Sequence, residues 1–371
     1  MRKIIYLDNA STTQVSKEVI KEINRFDLNE YGNPSSIHEF GERALKAMNS
    51  ARKTLASEIN CKPWEIVFTS GSTESNNLAF FGLSRSELGK KKKKIIISAI
   101  EHSSIFEICN VLKKEGFKIT EIPVDNMGLL NIDMLKKEID KNTLLVSIIH
   151  VNNEIGIIQD IEPIGKICKE RGVIFHSDCA QSFGKIKIDV NKIGINLLTA
   201  SAHKIRGSKG IGFLYLKGRV KINPIIYGGG QERGLRGGTE NVSGIIGFAK
   251  ALKIIKKINK EKIKEVRDYF ISELEKIGGR INGSKEKRIY NNINISFDAD
   301  AERIVLFLSD KGIMCSTGSA CENRKKTESR VLNAIGLKEN EINVSLRFSL
   351  NENINKQDID RVIEEIKLFL K

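Results

Sequence analysis

The sequence predicts an α/β protein, with a largely parallel, doubly wound sheet in a large domain and a smaller α+β domain beside it. Two observations carry this. Short apolar runs alternate with amphipathic segments through the middle of the chain, which is the pattern of strands joined by crossover helices. The apolar runs are also continuous rather than alternating, as strands buried on both faces must be. A length of 371 residues leaves room for a second domain.

Taken in order, "EIVFTS" (65–70) reads as a strand and "STESNNLAFFGL" as the helix after it. "KIIISA" (94–99), "FKITEIPV" and "TLLVSIIH" (143–150) are strands, each followed by a helical pattern. "VIFHSD" (173–178), "INLLTAS" and "GFLYL" read as three further strands. The run "VSGIIGFAKALKIIKKINKEKIKEVRDYFISELEKIGG" reads as one long helix leaving the large domain. Strands such as "NNINISF" and "NVSLRFSL" then build the second unit. The expected division is 15–255 for the large domain, with 1–14 and 256–371 forming the small one.

Composition narrows the class. Hydrophobic residues make up 40% and charged residues 29%, an ordinary balance for a globular protein. No apolar run reaches membrane-spanning length, and "MRKIIYLDNA" is too briefly apolar for a signal peptide, so a cytoplasmic location is expected. The net charge of +15 raises the question of nucleic acid. The lysines are dispersed and no aromatics interleave them, so direct nucleic-acid binding is not expected. Six cysteines stand apart, without CxxC pairs or zinc-ligand spacing, so neither a disulfide framework nor a metal site is expected.

In an open α/β sheet the site lies beyond the carboxyl ends of the strands. Chemically unusual residues fall at those ends here. Gly71-Ser72-Thr73 opens a helix and suits an anion, through free N–H groups, the helix dipole and two hydroxyls. Glu101-His102 follows the second strand, Asn152-Asn153 the fourth, and Asp178 and Gln181 the fifth. Lys204 follows the sixth, flanked by apolar runs that imply burial. A desolvated lysine loses its proton readily and can form an imine with an aldehyde. An anion cradle, an imine-forming lysine and a carboxylate able to hold a pyridinium nitrogen protonated together describe a pyridoxal 5'-phosphate site. On this reading the phosphate lies at Ser72 and Thr73, Asp178 meets the ring nitrogen, and Gln181 meets the ring hydroxyl.

Nine stretches in order, "YLDNASTT", "YGNPSSIH", "FTSGSTESNNLA", "HVNNEIGIIQDI", "HSDCAQSFGK", "SAHKIRGSKGIG", "GGGQERGLRGGTENV", "STGSAC" and "SLRFSL", resemble the cysteine desulfurases of the nitrogen-fixation and iron–sulfur-cluster type. These are class-V aminotransferase-like enzymes of pyridoxal phosphate fold-type I. The resemblance implies a homodimer that converts L-cysteine to L-alanine and passes sulfur to acceptor proteins such as an iron–sulfur scaffold. It makes Lys204 the Schiff-base lysine, and His102 a residue that stacks on the cofactor and exchanges protons. Ser201 and His203 join Ser72 and Thr73 at the phosphate, with Thr239 reaching over from the other subunit. Asn153, itself near the cofactor, and Arg347 hold the substrate carboxylate. Cys321 becomes the nucleophile that carries the persulfide.

Three features depart from the family pattern, the first being the stretch after "SLRFSL", where the tail that some relatives use to dock a scaffold protein is expected to be short. The residues after Cys321, "ENRKKTESR", are highly charged, and Arg324, Lys325, Lys326 and Arg330 suit either a solvated surface or the steering of an acidic acceptor. Cys315 is a second thiol nearby; it ends an apolar run and is expected to be packed. The alternative reading is another pyridoxal phosphate enzyme of this fold, an aminotransferase or a selenocysteine lyase. Cys321 argues against an aminotransferase, which needs no nucleophilic cysteine.

Overall fold

The structure, a computed structural model, describes residues 3–318 and 329–371. Cys321, Arg324, Lys325 and Lys326 lie outside the described residues. Seven strands form the main sheet, in the spatial order Ile66–Thr69, Gly212–Leu216, Leu197–Ser201, Ile174–Asp178, Thr143–Ser147, Lys94–Ser98, Lys118–Ile122. All pairings are parallel except those of Gly212–Leu216, which runs against both its neighbours. The remaining six strands therefore point their carboxyl ends to one edge.

Side chains alternate across this sheet, and helices cover both faces. Ile96, Val146, Phe175 and Leu198 meet Val19, Leu55, Ile164 and Phe248 on one face. Ile95, Ile97, Leu145 and Leu197 meet Leu78, Phe80, Ile105 and Leu112 on the other. The edge strand Lys118–Ile122 is partly exposed and carries Lys118 and Glu121, which discourages pairing with another chain.

A four-stranded antiparallel sheet, ordered Ser316–Thr317, Ser345–Ser349, Asn292–Ser296, Arg280–Ile281, builds the second unit. Its core joins Phe270, Ile293, Phe348 and Val362 to Ile5 and Leu7 from the start of the chain. The strand Ile5–Tyr6 pairs in parallel with Ile313–Met314.

The expected long helix is in fact two, Val242–Ile255 and Lys260–Lys276. Asn259 ends the continuity by capping the second helix, its side chain accepting from the Lys262 N–H at 3.1 Å. Ile258, between the two helices, packs against both cores, so the break turns the chain from one unit into the other. Arg330 of the charged stretch is not simply solvated: its guanidinium lies 4.8 Å from the centre of the Phe106 ring.

One buried ion pair fixes the glycine-rich segment that follows the main sheet. Arg52 donates to Glu232 at 2.6 and 2.8 Å, and Glu232 also accepts from the Phe68 N–H at 2.9 Å. Glu232 and Arg233 hold φ of +46° and +61°, unusual for residues with side chains, so the pair restrains strained backbone. Removing one partner leaves an unpaired charge in the interior. Arg52→Met or Glu232→Gln alone should therefore cost about 3–5 kcal/mol. The double variant should cost less than the sum, as read from denaturant unfolding.

Candidate active site

The sheet edge where six strands end opens into a cleft of about 460 Å³. Ser72, Thr73, His102, Asn153 and Asp178 line it. So do Gln181, Ser201, His203, Lys204 and Arg347. Ten residues drawn from between positions 72 and 347 thus meet at one place. Thr239 is exposed and does not line the cleft of its own chain.

Gly71 precedes the helix Ser72–Ser84 and offers no side-chain cap to its first turn. It sits at φ +154° and ψ −177°, a conformation that glycine alone adopts readily. The Ser72 hydroxyl is buried with no hydrogen-bond partner among the described residues. An open helix N-terminus and an orphaned hydroxyl together suit an anion. Glu74, in the same turn, would be raised by burial, but Arg236 at 2.9 Å and the Ser70 N–H at 2.8 Å hold it below the usual carboxylate range.

Asp178 ends its strand 4% exposed. One oxygen accepts from the Ala180 N–H at 2.9 Å and the other from Asn76 Nδ2 at 2.9 Å, which fixes the plane of the carboxylate. Asn76 also donates to Ser104 Oγ at 3.2 Å, and Ser104 Oγ lies 2.9 Å from His102 Nδ1. A chain of bonds therefore links Asp178 to His102. Burial pushes the His102 imidazole down from its usual value, Asp178 opposes this, and Lys204 adds to it. Sequence reasoning missed Asn76 and Ser104. Asn76 is a polar residue on the buried face of a helix, and that mismatch was the available signal.

Lys204 sits in the one-turn 3₁₀ segment Ala202–Lys204, directly after its strand. It is half-buried, not fully buried as its apolar flanks implied. Its Nζ donates to the carbonyls of Ala10 at 2.6 Å and Ser11 at 2.8 Å. Gln181 Nε2 donates to the same Ala10 carbonyl at 2.8 Å. His203 is pushed down to about 4, first by burial and then by Lys204, Lys209 and Lys185, which leaves it a neutral imidazole near neutral pH. Arg347 faces the cleft from the second unit, donating to Asp8 at 2.8 Å, Ser11 Oγ at 2.6 Å and the Asn153 carbonyl at 3.1 Å. Asp8 was another residue whose part the sequence did not disclose.

Among the described residues no group of three His, Cys, Asp or Glu side chains could hold a metal ion. No described helix is long and apolar enough to cross a membrane. Burial and, secondarily, Asp8 push the Cys315 thiol up to about 12, so it stays protonated near neutral pH.

Two buried histidines beneath the cleft make the fold acid-sensitive. Burial pushes His150 and His176 down to about 4. An unfolded chain protonates histidine near about 6.5, so below that pH it takes up protons that the folded chain refuses. The associated stability is fully present above that pH and is lost as pH falls toward 4. Each histidine should remove about 3 kcal/mol over that window, and the buried Glu101 carboxyl, pushed up to about 8, should offset part of the combined loss because the folded chain binds its proton first. Urea unfolding midpoints that stay level from neutral pH down to the acid limit would contradict this.

A family model described as aminotransferase class-V matches residues 5–362. A protein named cysteine desulfurase IscS from Dictyoglomus turgidum is 44% identical over 377 aligned positions, covering 100% of this chain and 95% of that one. One of the same name from Methanosarcina thermophila is 42% identical, covering 98% and 91%. A solved structure named NifS-like protein superposes with a TM-score of 0.93 at 34% identity, covering 99% of each chain. Another, described as SspA in complex with cysteine, gives 0.86 at 36% identity, covering 94% of this chain and 99% of that one. With its mixed α/β architecture and this near-complete match, the chain belongs to the class-V aminotransferase family.

Proposed function

We infer that this chain is a cytoplasmic, pyridoxal phosphate-dependent cysteine desulfurase, which takes sulfur from L-cysteine onto Cys321 and passes it to an acceptor protein. The observation that carries the reading is one cleft holding Lys204, the fixed carboxylate of Asp178, the open helix end with its orphaned Ser72 hydroxyl, and Arg347. These groups fit the cofactor. Ser72, Thr73, Ser201 and His203 would hold its phosphate, and Asp178, Gln181 and His102 its ring. When bound, pyridoxal phosphate supplies an electron sink that weakens the bonds at the α-carbon of an amino acid.

The chain's own groups would do the rest. Asp178, its carboxylate fixed by Asn76 and the Ala180 N–H, would keep a proton on the ring nitrogen. Lys204, whose amine now donates to the carbonyls of Ala10 and Ser11, would hold the cofactor and, once the amine of the substrate replaces it there, would move the α-proton of the substrate. His102, whose imidazole burial pushes down from its usual value, could accept or donate a proton in the cleft. Asn153 and Arg347 would orient the substrate carboxylate. The thiolate of Cys321 attacks the substrate sulfur: a sulfur–sulfur bond forms, the carbon–sulfur bond breaks, and its electron pair, once protonated, leaves alanine. The raised Cys315 thiol supports Cys321 as the carrier.

A homodimer is part of this reading. Thr239 lies exposed on a segment that Arg236 ties to Glu74 at the anion cradle. Nearby, Tyr227 is 80% exposed, an apolar ring suited to a second copy. An aminotransferase or a selenocysteine lyase is the alternative on the same fold.

Two variants test the assignment, read as alanine and sulfide release from L-cysteine. Lys204→Ala should abolish turnover and the visible absorbance of the bound cofactor. Cys321→Ser should keep that absorbance yet release no sulfide. Wild-type turnover in Lys204→Ala, or added sulfur found on Cys315 by mass spectrometry, would overturn it.

A further inference from the structure

Arg347 is more heavily engaged than a guanidinium waiting for a substrate carboxylate needs to be. It is 2% exposed, in the strand Ser345–Ser349, and it faces the cleft. Its Nη2 donates to Asp8 Oδ1 at 2.8 Å and to Ser11 Oγ at 2.6 Å. Ser11 Oγ in turn donates to the same Asp8 oxygen at 2.9 Å. Its Nη1 donates to the Asn153 carbonyl at 3.1 Å. Its Nε is buried and has no partner among the described residues.

A guanidinium grips a carboxylate best through two adjacent, parallel N–H groups. Along the Nε–Nη2 side of Arg347 the Nε donor is open, but both Nη2 hydrogens are already given to Asp8 and Ser11. An incoming carboxylate therefore meets half a fork and a charge already neutralised. Asp8 cannot easily swing aside. The next two residues are tied to Ser349: Asn9 Nδ2 donates to its carbonyl at 2.7 Å, and the Ala10 N–H to its hydroxyl at 2.8 Å. The strand Ile5–Tyr6 anchors the other side.

We propose that Asp8 sets the affinity of the cleft for α-carboxylates, by competing with the carboxylate of substrate and product for Arg347. Its contact orients the guanidinium, while its charge repels a second carboxylate at the same group. The competition keeps binding moderate and lets the amino-acid product leave. The inference rests on Arg347 being the carboxylate-binding residue of a cysteine desulfurase.

Asp8→Asn separates the two effects, because Oδ1 remains an acceptor for Arg347 while the charge is lost. The probe is 3-mercaptopropionate, which carries the substrate's carboxylate and thiol but no amine to react with the cofactor. Titration calorimetry on holoenzyme should show it binding about tenfold more tightly to Asp8→Asn than to wild type, with KM for L-cysteine falling in parallel. Asp8→Ser, smaller and neutral, should shift in the same direction, and serves if the first variant folds poorly. Unchanged or weaker binding in both variants would overturn the proposal, since a purely orienting residue can only lose affinity when changed. Sulfide and alanine release by the wild type is measured alongside. If the wild type turns over and the variants bind no tighter, the role of Asp8 alone fails. If the wild type releases neither product, the functional reading fails instead.

Discussion

The cleft depends on a short run of backbone, residues 8–13, that belongs to neither sheet. Its carbonyls at Ala10 and Ser11 take the amine of Lys204, and the Ala10 carbonyl also takes the amide of Gln181. The Thr13 hydroxyl donates to the His203 carbonyl at 2.7 Å, and Asp8 and Ser11 take the guanidinium of Arg347. Each contact closes a loop of between 171 and 339 residues, so one segment joins the large sheet to the second unit. Loop closure of that length costs conformational entropy, and the segment is held by the two packed cores it bridges.

Charge in the cleft is arranged around that segment. Asp178 is locked by Asn76 and a backbone N–H, so its negative charge has a fixed direction. Lys204 and Arg347 oppose it with positive charge. The three nearby histidines, His102, His150 and His203, are all driven toward the neutral form by burial. Neutral imidazoles beside cations and a carboxylate leave the net charge of the cleft to the few groups that can contact an amino acid or its cofactor. Desolvation, which is unfavourable for each group alone, is what gives these charges their strength.

The glycine-rich segment from Gly228 to Gly238 illustrates a second kind of dependence. Positive φ at Glu232 and Arg233 costs conformational energy, and the buried Arg52–Glu232 pair holds it in place. Its other anchor is the bond from Arg236 to Glu74, in the first turn of the helix Ser72–Ser84. Strain in this segment is thus coupled to the part of the cleft where an anion fits.

Much of this was legible in the sequence. The continuous apolar runs set a buried parallel sheet, because a strand covered on both faces has no polar side to show. The strand-end positions of Ser72, His102, Asp178 and Lys204 then followed, because the direction of a crossover connection sends those ends to one edge. The break at Asn259 was hidden, since its flanks continue a helical pattern and a single capping side chain decides the matter. Hidden too were the partners of each functional group: Asn76 behind Asp178, Ser104 beside His102, Asp8 across Arg347, and the half-exposed setting of Lys204. Except for Ser104, two residues from His102, these contacts join residues far apart in the chain, and neither periodicity nor local motif carries information about them. Residue types and their order determined what chemistry the cleft could hold; only the packing of the two cores decided which groups touch, and so which charges are paired and which remain open to a ligand.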